Sequence, residues 1–140
     1  MRFWIAALAA CLALGCTTVN DALAHRDQLE QAQKRYTELI RWRDAERAAR
    51  FVRPERRAAF LEAAKALELI EISDFKLGEF QYGADDRSAE IDVTYRGYML
   101  NQLVERKVHV TQKWRREEGQ DWLIDPDLEH VVAELKGTPR

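Results

Sequence analysis

Two periodicities divide the chain. Between residues 25 and 52, in HRDQLEQAQKRYTELIRWRDAERAARFV, the apolar positions Leu29, Ala32, Tyr36, Leu39 and Ile40 recur at steps of three and four. That spacing places them on one face of a helix. Arg26, Gln33, Lys34 and Arg41 fall on the opposite, water-friendly face. The stripe shifts near Trp42-Arg43-Asp44, which predicts a bend, with Asp44 as N-cap of a second short helix running to Val52. Pro54 suits the first turn of a further helix, where a missing N–H costs nothing. The Ala-, Leu-, Glu- and Lys-rich segment PERRAAFLEAAKALELI continues it, with Phe60, Leu61, Ala64 and Leu67 as its apolar stripe, and gives way to strand near Leu69.

From Ile70 the period becomes two. Ile70 and Ile72, then Phe75 and Leu77, alternate with polar residues, and Phe80 and Tyr82 fall on the opposite phase. Gly78 stands at the phase change and predicts a bulge. After the turn cluster GADDRS (83–88), a second strand puts Ala89, Ile91, Val93, Tyr95, Gly97 and Met99 on one side. Asn101-Gln102 offers a tight turn into a third strand with Val104, Val108, Val110 and Trp114 on one side. RREEGQ (115–120) turns the chain again, and Trp122 and Ile124 form a last strand before Pro126. The residues from Leu128 suggest a short helix through Leu135, and 137–140 read as loose. Sequential strands joined by short polar turns make an antiparallel meander with one wet face. The fold class expected is therefore α+β, with N-terminal helices packed on one face of a four-stranded meander sheet.

This order resembles the cone-shaped nuclear-transport-factor-2-like superfamily. The residues behind the resemblance are KWRREEGQDWLID (113–125), a tryptophan strand, a glycine hairpin and a second tryptophan strand. RYTELIRWRDAERAARFVRPE (35–55) adds the helix, bend and short helix that open the same fold. A cystatin-like arrangement, one long helix wrapped by a meander, is the near alternative. The resemblance brings no superfamily catalytic motif with it. It implies a chamber between helices and sheet, in which relatives such as ketosteroid isomerases and small dehydratases place Asp, His or Tyr.

The N-terminus carries a different signal. Met1-Arg2 is followed by thirteen uncharged residues, Phe3 to Gly15, and then by Cys16. A basic start, a short apolar run and a small residue form a secretory signal peptide. The run is shorter than the roughly 20 apolar residues a membrane-spanning helix needs. Leu12-Ala13-Leu14-Gly15-Cys16 resembles the lipobox of bacterial lipoproteins, with Ala13 where leucine is commoner. The resemblance implies cleavage before Cys16 and acylation of its thiol, hence a membrane anchor. Thr17, where aspartate would signal inner-membrane retention in enterobacterial relatives, implies the outer membrane, facing the periplasm. The chain has two cysteines, Cys11 and Cys16, so the mature chain could form no internal disulfide. The organisation expected is a signal peptide over 1–15, a lipidated polar tether over 16–24, one α+β domain over 25–128 and a tail over 129–140.

Composition narrows the function classes. Of 140 residues, 33% are charged and the formal net charge is −2, a balance that argues against nucleic-acid binding. The arginines between Arg41 and Arg57 alternate with Asp44, Glu46 and Glu55 and read as a solvated helix face. His25, His109 and His130 share no ligand spacing, so no metal site and no cofactor is expected. No nucleophile elbow or phosphate loop is present. Tyr36, Asp74 and Tyr95 are the candidates for chemistry in a buried chamber, where burial would tune a pKa. Packing in the core is the competing role for Tyr36 and Tyr95, and a loop or bulge position for Asp74. Trp42, Trp114 and Trp122 could line a pocket or an interface, although a helix end and strand faces are also where a small core places its bulk. The functional expectation is a lipid-anchored, non-enzymatic interaction or accessory module with an envelope protein partner. The alternative is a small-ligand-binding or isomerase/dehydratase-like protein that uses the chamber.

Overall fold

The computed structural model describes the backbone of residues 6–137 and the side chains from residue 18 onward. The first five residues of the expected signal peptide, the last three of the expected loose tail and the Cys16 side chain lie outside the described part.

Helix α1 (Ala6–Arg41) is 36 residues long, roughly 54 Å. Residues 17–24, expected as a polar tether, are helical instead. No Gly or Pro interrupts the stretch, and Ala22-Leu23-Ala24 are good helix formers. Their side chains remain largely outside the core, and Leu29 is the first fully buried one among those described. The helix stops at the expected bend: Arg43 takes a left-handed conformation with φ 60°. Its N–H and that of Asp44 then bond back to the Ile40 and Leu39 carbonyls. Asp44 caps α2 (Ala45–Ala48) by accepting a bond from the Arg47 N–H, as its residue type suggested. Two 3₁₀ turns, Ala49–Phe51 and Pro54–Arg56, lead into α3 (Arg57–Ala64), and a third 3₁₀ turn ends at Leu69.

The sheet is a four-stranded antiparallel meander in the order β1-β2-β3-β4: β1 (Ile70–Tyr82), β2 (Ser88–Met99), β3 (Arg106–Arg116) and β4 (Trp122–Asp125). The β1–β2 register slips between Leu77 and Phe80, where the phase change at Gly78 predicted a bulge, and once more between Ile72 and Asp74. β3 starts two residues later than expected. Gln102 and Leu103 both bond back to the Met99 carbonyl, and Leu103 adopts φ 54°. The connection is therefore wider than a two-residue turn and leaves Val104 in an exposed loop. One sheet face is buried through Ala89, Ile91, Val93 and Tyr95 of β2 and through Val108, Val110 and Trp114 of β3. The other face is polar and wet, with Thr94 bonded to His109 at 2.9 Å and Thr111 donating to Asp92 at 2.6 Å.

The helices cover the apolar face, which makes the chain an α+β fold of the expected kind. A parallel bridge between Val52 and Ile124 ties the helical half to β4. The domain does not end at residue 128. Helix α4 (Leu128–Lys136) buries Leu128, Val131, Val132 and Leu135 and packs on α3, β2 and β3, so the expected tail is part of the core. Gly97 of β2 makes room for it: a Cβ there would meet the Glu71 carbonyl oxygen at 2.5 Å and Leu135 Cδ2 at 3.3 Å. α4 closes on Gly137, whose φ of 68° is the left-handed cap that glycine adopts freely.

Candidate functional site

The interior between α1 and the sheet is occupied by aromatic rings around a polar knot. Positions 29, 33, 36, 37 and 40 of α1 lie on one helical stripe, so Leu29, Gln33, Tyr36, Thr37 and Ile40 all face inward. Gln33, expected on the wet face, is 1% exposed. Its Nε2 donates to Thr37 Oγ1 at 3.0 Å and to Gln112 Oε1 at 3.1 Å. Gln112, fully buried on β3, donates from Nε2 to Tyr95 Oη at 3.2 Å and to Thr37 Oγ1 at 3.4 Å. Its Oε1 also accepts from Trp114 Nε1 at 3.3 Å. Both ends of the Gln112 amide are thus fully used, and two helix side chains are pinned to three sheet side chains.

Tyr36 and Trp114 meet edge to face at 5.8 Å, and Tyr36 also contacts the rings of Phe51 and Phe60. Tyr36, Tyr95 and Trp114 are therefore brought together, each at most 2% exposed. Core packing accounts for all three, and Tyr95 and Trp114 also serve the polar knot.

Among the described residues two charged side chains, Arg116 and Asp127, carry polar atoms sealed from solvent without a partner, and the sequence patterns singled out neither. Asp127 stands at the N-cap position of α4, yet its side chain makes no cap bond. Its Oδ2 is sealed from solvent without a hydrogen-bond partner, as is the Tyr36 hydroxyl. Burial, with a smaller contribution from the Asp125 charge, pushes the Asp127 carboxyl up to about 7. Burial holds the Tyr36 and Tyr95 phenols well above their ordinary range, and the Asp127 charge pushes both further the same way. The Asp127 side chain thus leaves the cap unmade, and its carboxyl is felt electrostatically by both buried phenols. Gln112 could have been found from the sequence, being in phase with Val110 and Trp114. Nothing local marks Asp127, which follows Pro126 outside any periodic run.

The other candidates lie elsewhere. Trp42 is 70% exposed at the end of α1, with the Arg41 guanidinium 5.3 Å above its ring, so the packing role considered for it is overturned. The reason is the bend itself, since the residue follows the last helical turn and leaves the stripe. Asp74 is exposed at the β1 irregularity, away from the interior. Trp122 is buried at the rim, where its Nε1 donates to the His25 carbonyl at 2.9 Å and clamps the β3–β4 hairpin to α1. Beside that clamp runs an open groove of about 1000 Å³, walled by α1, the Arg50–Arg57 segment and the hairpin. A basic stretch read as a plain solvated face thus lines a concavity.

No protein-family model matches the chain, and no curated protein sequence does either. Solved structures do match in fold. A protein of unknown function from Mycobacterium tuberculosis superposes with a TM-score of 0.59 at 15% identity, over 85% of this chain and 90% of that one. A SEC-C motif containing protein from Rhodopseudomonas palustris gives 0.53 at 13% identity, over 64% and 69%. A proposed polyketide cyclase from Xanthomonas campestris pv. campestris gives 0.51 at 11% identity, over 79% and 98%. At such identities the likeness is one of architecture alone, and it agrees with the cone-like α+β fold.

Proposed function

We propose that this chain is a lipid-anchored protein of the bacterial envelope, most simply on the periplasmic side of the outer membrane, whose α+β domain is a non-enzymatic interaction module. The observation that carries the reading is the filled interior. Where a cone-fold catalyst needs an open chamber, Tyr36, Tyr95 and Trp114 fill the space and Gln112 ties α1 to the sheet. A large open concavity lies instead on the surface, formed by the helical half and the hairpin. The Leu12–Cys16 pattern supports the anchor, and acylation contributes about 0.8 kcal/mol per buried methylene, so several chains hold a protein at a membrane durably. No described helix is long and apolar enough to cross a membrane. The test is a cross-linked pull-down of the full-length protein from native membranes beside a Cys16→Ala control. A stoichiometric protein partner, lost or mislocalised in the control, is the expected result. An empty pull-down from correctly anchored protein sinks the reading.

Asp127 favours a second reading, a small-ligand or proton-transfer protein of the cyclase and isomerase type. Its orphaned oxygen and the orphaned Tyr36 hydroxyl are the kind of unsatisfied buried groups that a ligand or water would complete. A thermal-shift screen of small cyclic ketones separates the two. A compound that stabilises the wild type but not Asp127→Asn supports the ligand reading, and no such compound leaves the module as the better account.

A further inference from the structure

We infer that the groove beside the Trp122 clamp is a binding site for an acidic, partly apolar peptide segment of a partner protein. The inference rests on the interaction-module reading and gives that module its docking site. The first argument is charge. Arg35 of α1 and Arg50 of the first 3₁₀ turn both line the groove, and neither has an ion pair among the described residues. The arginines just outside are neutralised: Arg53 pairs with Glu55 at 3.0 Å and Arg115 with Glu117 at 3.6 Å. A third lining cation, Arg57, is held in place because its Nε donates to the Ala49 and Val52 carbonyls. Asp121 is the one acid in the lining. Three arginines against one aspartate thus give this concavity a net positive lining in a chain of net charge −2, and such a lining attracts anions by focusing the field.

The second argument separates a peptide from other anions. Gln28 and Gln31 project from α1 along the same wall, and a glutamine amide offers a donor and an acceptor together. That pair matches a peptide main chain, whereas a phosphate or sulfate group has only acceptors and would leave the amide oxygens unused. Phe51, half-buried in the lining, supplies an apolar seat for a side chain and packs edge to face on Tyr36 and Trp114. The groove floor is therefore fixed by the domain core. Arginine and carboxylate pair bidentately, so a Glu or Asp on the segment would meet Arg35 and Arg50 in the strongest geometry available to them.

The experiment selects a random 12-residue display library on the full-length protein in nanodiscs and measures the enriched peptides by fluorescence anisotropy. The variants are Arg35→Glu with Arg50→Glu, and a sheet-face control, Lys107→Glu with Lys113→Glu; all four positions are exposed, and circular dichroism verifies the fold. The expected result is enrichment of peptides that combine Asp or Glu with apolar residues. Their binding should weaken at least tenfold in the groove variant and on raising the salt, and hold within twofold in the control. Enrichment of neutral or basic peptides, enrichment of none, or equal weakening in both variants overturns the inference. The membrane pull-down separates it from the reading beneath it. If wild type and groove variant capture the same partner equally, the groove assignment fails and the module stands. If the wild type captures none, the module itself fails.

Discussion

A carboxyl buried without a partner makes stability depend on pH, and Asp127 is such a group. Its folded pKa, about 7, lies above the ordinary carboxylate value, so between roughly pH 4 and pH 7 the folded state binds a proton that the unfolded state has released. Stability therefore falls as pH rises through that window, by at most about 1.4 kcal/mol per pH unit, and levels off above it. Urea titrations at pH 4.5, 6 and 8 should show the decline in the wild type, and Asp127→Asn should flatten it. A wild-type stability that rises from pH 4.5 to 8 would contradict this account of Asp127. Gln112 gives a second prediction at this scale. Replacing it with Leu keeps the volume but leaves one N–H of the Gln33 amide and the indole N–H of Trp114 without their partner in a dry interior, at a cost of about 2–4 kcal/mol. Chemical denaturation measures it, and a loss below 0.5 kcal/mol would mean water reaches the knot. Both residues show why a pattern of apolar positions reads a core incompletely. Gln33 and Gln112 occupy core phases with polar side chains, and phase alone would have placed Gln112 correctly. The Asp127 Oδ2 atom is sealed only once the chain has folded, a tertiary event that leaves no local trace.

At the scale of elements, strands were the most legible feature because the alternation is strict: Ala89, Ile91, Val93 and Tyr95 are all buried and their neighbours are not. Helix limits were less so. The break at Arg43 and the cap at Asp44 follow from residue type, but the helical state of residues 17–24 does not, since they have no apolar period and only the absence of Gly and Pro within them and the propensity of Ala22-Leu23-Ala24 favour it. α4 was legible as a helix and misplaced as a tail, since nine residues do not say what they pack against. Its contribution can be measured. Leu135→Ala empties a fully buried site and should cost about 2–5 kcal/mol. Gly97→Val would drive a side chain into the Glu71 carbonyl and Leu135, neither free to yield, and should cost about 2 kcal/mol or more. Equilibrium urea melts of both variants check the pair. A dispensable tail would leave Leu135→Ala at wild-type stability.

At the scale of the whole molecule, the proposed anchor and the groove are joined by one element. α1 runs without interruption past Cys16 and Leu29, and its residues Gln28 to Arg35 form one wall of the groove. A chain joined to a lipid through a loose linker would present its binding surface in every direction. With anchoring at Cys16, an unbroken helix gives the surface a compass bearing: each residue added between Cys16 and Arg26 lifts the domain by about 1.5 Å and turns it by about 100° about the helix axis. One inserted alanine would aim the groove away from a partner fixed in the envelope, while seven would nearly restore the heading at a height of about 10 Å more. Capture efficiency plotted against insert length should therefore oscillate with the helical turn, whereas a smooth decline would mean the stalk bends and the bearing is lost.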